Sequence, residues 1–134
     1  MAYVRFVTPK TDPNSGADSG LFILAYSLSN DSVVSAENRQ SLRDILGWFE
    51  AHLPVPKRFN RTSSKGYYRR ATKGIAWFRD SATEHIAQMQ KIRRIAEENG
   101  HLVEIIRADR VGYITYEDEV QVIAEPFADT PISA

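Results

Sequence analysis

At 134 residues the chain is close to the usual size of one domain, and 43% hydrophobic with 25% charged residues is a globular rather than a disordered composition. It has no cysteine, which excludes disulfides, thiolate metal sites and cysteine nucleophiles and fits a reducing compartment. The 17 basic and 17 acidic residues cancel, so overall charge gives no drive toward nucleic acid or membrane.

Residues 1–10 contain Arg5 and Lys10 but no apolar run of signal-peptide length, and the longest apolar stretch, residues 21–26, is far short of the roughly 20 residues of a membrane helix. A soluble, cytoplasmic protein is expected. Residues 3–7, Tyr-Val-Arg-Phe-Val, are β-rich and read as a strand. Pro9, Pro13, Asn14, Gly16 and Gly20 then mark residues 9–20 as a loop. Residues 21–28 suit a buried strand, but Leu21, Leu24, Ala25 and Leu28 keep helical spacing after a cap at Asp18 or Ser19, which favours a helix. Ser35 offers an N-cap to a second helix whose apolar stripe is Leu42, Ile45, Leu46, Phe49 and Leu53, and Pro54 and Pro56 end it.

Residues 54–73 form a basic, turn-prone loop around Ser63, Ser64, Lys65 and Gly66, long enough to suggest either a function or disorder. Residues 74–78, Gly-Ile-Ala-Trp-Phe, read as a short buried strand. Ser81 and Glu84 have capping-box spacing before a helix with the stripe Ala82, Ile86, Met89, Ile92, Ile95 and Ala96, and Asn99-Gly100 stops it. A strand over residues 102–107 follows, then a hairpin of residues 111–116 and 119–125 around Glu117-Asp118, and a flexible tail over 127–134. The order β-α-α-β-α-β-β-β predicts a single α+β domain: one mixed β-sheet with about three helices packed on it, including a right-handed crossover from residue 74 to residue 107.

The charges are segregated along the chain. No acid occurs between residues 51 and 79, where Lys57, Arg58, Arg61, Lys65, Arg69, Arg70, Lys73 and Arg79 all fall. From residue 109 to 129 the balance reverses, with Asp109, Glu117, Asp118, Glu119, Glu125 and Asp129 against Arg110 alone. Phe59, Tyr67 and Tyr68 are interleaved with the cations, so this segment suits an acidic protein surface or a second copy of the chain through arginine forks, or a nucleic acid through phosphate neutralisation and base stacking. A charged, solvated loop is the plainer alternative. The binding residues in the functional reading are Arg58, Arg61, Lys65, Tyr67, Tyr68, Arg69 and Arg70.

Glu117 and Glu119 fall on one side of a strand and Asp118 on the other, a spacing that admits a divalent cation or a general acid–base pair, though acids at a hairpin tip are commonly solvated turn residues. His52, His85 and His101 are not spaced as metal ligands, and no serine elbow, phosphate-binding loop or dinucleotide turn occurs. The adjacent pairs Trp48-Phe49 and Trp77-Phe78 are expected mainly in the core. No cofactor and no metal are implied. The leading reading is a non-enzymatic binding or adaptor protein.

Residues 77–86 (Trp-Phe-Arg-Asp-Ser-Ala-Thr-Glu-His-Ile), residues 112–127 and Leu53-Pro54-Val55-Pro56 resemble a family of small bacterial proteins with no known activity; the resemblance runs from Leu42 onward and implies a bacterial cytoplasmic protein. A shorter resemblance is to the ADP-ribosyltransferases. Residues 74–78 are similar to their strand after the nicotinamide pocket, residues 113–116 with Gln121-Val122 to their last catalytic strand, and Glu117-Asp118-Glu119 to their Glu-x-Glu spacing. That resemblance implies catalysis by Glu117 and Glu119 with Arg5 or Tyr113 holding the substrate. It departs at Gly112, where a catalytic glutamate would precede Tyr113, and in lacking a His-Gly pair on the first strand.

Overall fold

The computed structural model describes residues 2–11, 18–53 and 74–131. Its elements are β1 (Tyr3–Thr11), β2 (Asp18–Gly20), α1 (Leu21–Ser29), α2 (Ala36–His52), β3 (Ile75–Arg79), α3 (Thr83–Glu98), β4 (Glu104–Ala108), β5 (Tyr113–Glu117) and β6 (Gln121–Glu125). Apart from the three-residue β2, this is the α+β order read from the sequence.

β1 organises the sheet. Val4 pairs with Phe78 of β3 on one side and with Arg107 of β4 on the other, both antiparallel. β3 and β4 therefore run in the same direction, as a β-α-β crossover requires, but β1 lies between them. Every neighbouring pair is antiparallel, where a mixed sheet was expected, because the crossover is split by the first strand. Val7 pairs with Glu104 and with Gly20, so β2 joins β1 on the β3 side, beyond the last β1–β3 pair, Val4 with Phe78. β6 pairs with β3, and β5 with β6, giving the lateral order β4-β1-β3-β6-β5.

Alternation along the strands serves two apolar clusters. Val4, Phe6 and Phe78 join Leu21, Ala25 and Leu28 of α1, Leu42, Ile45, Leu46 and Phe49 of α2, and Met89, Ile92, Ile95 and Ala96 of α3. Val7, Ile75, Trp77, Ile106, Val122 and Ala124 gather with Val111 in the other. Trp77 and Phe78 are both buried yet belong to different clusters, because consecutive strand residues face opposite ways.

Local differences from the sequence reading have identifiable causes. β1 runs through Pro9 to Thr11, and Asp18–Gly20 pairs back onto it across a register shift, so the expected loop is partly strand. Ser35 caps α2 as expected, its oxygen accepting the Asn38 N–H at 3.1 Å. The capping box of α3 does not form. Ala82 is the N-cap and makes no side-chain cap bond, while the Ser81 carbonyl accepts from Thr83 N–H in the turn leaving β3. α1 starts after Gly20, likewise with no side-chain cap, so its stability comes from burying Leu21, Ala25 and Leu28. Of the segment 127–134, residues 127–131 are described, with Thr130 buried.

Candidate functional site

The acidic hairpin is built around Asp118. Its Oδ1 accepts the backbone N–H groups of Val120 (2.8 Å) and Gln121 (2.9 Å), and its Oδ2 accepts the Tyr116 hydroxyl (2.9 Å) and the Gln121 side-chain amide (3.2 Å). Burial alone would raise this carboxyl, but those hydrogen bonds outweigh it and hold Asp118 below the usual carboxylate range. The same bond to Asp118, helped by burial and the nearby negative charge, pushes Tyr116 up. Asp118 is thus the turn-forming residue of the hairpin, closing an Asx-type turn over Glu119 and Val120.

Arg79, the last residue of β3, ties this turn to the sheet. Its Nε donates to the Asp118 carbonyl at 2.7 Å and its Nη2 to Glu117 Oε2 at 2.8 Å, while its backbone N–H donates to the Val120 carbonyl. Glu117 is therefore held in an ion pair, and Glu119 is exposed at the tip. Among the described residues no group of three or more histidines and carboxylates is placed to hold a metal. In the sequence Arg79 counted only as one more cation near the basic segment, and its register against β6 was not visible.

The two residues named as alternatives for holding a substrate, Arg5 and Tyr113, lie on different strands. Arg5 is buried on β1 and Tyr113 is exposed on β5, with β3 and β6 between the two strands, a separation of about 14 Å at ordinary strand spacing. Gly112 also has a structural reason to be glycine. Its φ is +119°, and a Cβ there would collide with the backbone carbonyl of Glu125. The position before Tyr113 is closed to a glutamate.

His85 and His52 join two helix ends. The buried His85 lies within hydrogen-bond distance of the His52 carbonyl through Nε2 (2.9 Å), in the last turn of α2, and its ring sits 4.8 Å from Trp48. The exposed His52 stacks on Trp48 at 4.4 Å and 16°, with its Nδ1 2.7 Å from the Trp48 carbonyl. Through this contact His85 meets a helix-end carbonyl while its ring packs in the core.

The basic segment departs after Leu53 and rejoins the described structure at Gly74. Arg58, Arg61, Lys65, Tyr67, Tyr68, Arg69 and Arg70 lie outside the described residues. Gly74 leads into Ile75, which pairs with Ala124, so the chain returns at the end of the sheet where β6 finishes and β5 begins.

Tyr113 and Ile114 of β5 and Phe127 beyond β6 are exposed, with Tyr113 and Ile114, as consecutive strand residues, facing opposite ways. Arg110 places its guanidinium 5.0 Å from the Phe127 ring centre and 3.6 Å from Asp129 Oδ2. Thr130 Oγ1 fixes the turn beneath, accepting from Phe127 N–H at 3.0 Å and lying 3.5 Å from the Arg110 carbonyl.

Comparison with family models, with curated proteins and with solved structures found no match to this chain. Among the described residues no helix is long and apolar enough to cross a membrane.

Proposed function

We propose that the protein is a non-enzymatic binding or adaptor protein of the bacterial cytoplasm, whose segment 57–73 engages an acidic partner. Charge segregation carries this reading. Seven of the 17 cations lie within residues 57–73 with no acid among them, leaving ten cations against 17 acids in the remainder. Such a chain is self-complementary as well as complementary to other acidic proteins. Arg58, Arg61, Arg69 and Arg70 supply bidentate forks, and Phe59, Tyr67 and Tyr68 supply apolar area.

The hairpin geometry supports a binding role over catalysis by Glu117 and Glu119. The first carboxylate is paired with Arg79, and the residue between them is committed to the turn. The aromatic interleaving of the segment favours a second reading, single-stranded nucleic acid held through the same cations.

The test is the double charge reversal Arg69→Glu/Arg70→Glu in the full chain. Binding is measured against poly-glutamate, against a single-stranded oligonucleotide and against the chain itself, each at low and high salt. Loss of about tenfold or more in affinity for one probe at low salt, shrinking as salt rises, is expected. Binding to every probe that stays the same in the variant, at both salt levels, would sink the proposal.

A further inference from the structure

We infer that Asn99-Gly100, the one Asn-Gly pair in the chain, is a self-modifying site: the fold holds it unreacted, and deamidation after α3 opens there leaves a lasting, destabilising mark. Asparagine before glycine is the pairing most prone to this reaction, because glycine puts no side chain in the way of its own nitrogen. The Gly100 backbone nitrogen loses its proton and attacks Asn99 Cγ. An N–Cγ bond forms, the Cγ–Nδ2 bond breaks and ammonia leaves, giving a cyclic imide. Water then opens the ring at either carbonyl, to aspartate or to an isoaspartate whose main chain runs through Cγ. The net change is loss of ammonia and gain of water.

Both reacting groups are tethered in the folded chain. Asn99 is the C-cap of α3, and its Nδ2 donates to the Ile95 carbonyl at 2.8 Å. The Gly100 N–H donates to the Glu97 carbonyl at 3.1 Å, and the His101 N–H to the Ala96 carbonyl at 3.0 Å. With Gly100 at φ +84°, these bonds make the left-handed helix ending that glycine favours. The proton that must leave is thus committed to one carbonyl, and the amide that must turn is committed to another. Gly100 is nevertheless exposed, so solvent reaches the pair as soon as the turn opens.

The product recloses poorly. A carboxylate replaces the donor to the Ile95 carbonyl and stands at the negative end of the helix, next to Glu97 and Glu98. Isoaspartate also adds a carbon to the main chain, which displaces the N–H groups of Gly100 and His101 from their carbonyls.

The full chain is incubated at neutral pH in buffer and in guanidinium chloride, and the tryptic peptide of residues 95–107 is followed by mass spectrometry. Conversion is expected in denaturant and at least about tenfold more slowly in buffer, since two hydrogen bonds must open together. Asn99→Gln should leave that peptide unchanged in denaturant over the same period. Asn99→Asp, which supplies the aspartate product directly, is expected to lower the folding equilibrium constant about fivefold or more. Equal rates in buffer and denaturant overturn the inference, as does a peptide that stays intact in denaturant. An Asn99→Asp chain as stable as wild type also overturns it, because the reaction would then leave no mark on the fold.

Discussion

Gly112 shows how much a single residue can decide. Its φ of +119° lies where side-chain-bearing residues are strained, and the Glu125 carbonyl occupies the place a Cβ would take. Gly112→Ala is expected to destabilise the protein by at least about 3 kcal/mol, since backbone rather than a movable side chain must yield. Gly47, exposed in the middle of α2 with open space around it, is the internal control: Gly47→Ala should stabilise by roughly 0.5–1 kcal/mol through helix propensity. Chemical denaturation of the two variants checks both signs, and an unaffected Gly112→Ala would contradict the geometry. The sequence offers Gly112 as one of seven glycines. Nothing local distinguishes it, because the atom that excludes a side chain belongs to a strand thirteen residues further on. His85 makes the same point. It stands beside an apolar stripe in the sequence, and only packing of α3 against α2 reveals that its ring meets the His52 carbonyl.

At the scale of the element, the β5–β6 hairpin depends on one carboxylate. Asp118 ionises below the ordinary range when folded, so as pH falls the unfolded chain takes up its proton first. The stabilisation is therefore fully present above the unfolded value of about 3.9 and is lost as pH drops through the lower folded value. Unfolding free energy measured between about pH 5 and pH 2 should fall more steeply in wild type than in Asp118→Asn, which keeps an acceptor for the Val120 and Gln121 N–H groups but no charge. Identical slopes would show that the turn carboxylate contributes no pH dependence. The hairpin itself was legible from the sequence as two β-rich runs about an acidic turn. Its chemistry was not. Adjacent acids suggest a cation site, and the structure instead spends one on turn amides and pairs another with Arg79 from a strand 38 residues away. The helices divide similarly: the Ser35 cap was readable because it is a local bond, whereas the expected box at Ser81 gives way to the turn that brings the chain out of β3.

For the whole molecule, one sheet serves two apolar clusters, and β1 contributes to both through Phe6 and Val7. Phe6→Ala in one cluster and Trp77→Ala in the other are each expected to cost about 3–5 kcal/mol. Because the clusters share strands, both variants should lower one common melting transition rather than split it into two. Calorimetry that resolved two separate transitions would show that the clusters unfold independently.

Composition, periodicity and capping chemistry act over a few residues, and they were enough to give the α+β class, the element order, most of the core and the segregation of charge. Strand order, the insertion of β1 between β3 and β4 and the pairing of Glu117 with Arg79 depend on which distant segments pair. Those pairings are set by the combined burial of many side chains from separate elements, and no short stretch of sequence encodes that sum.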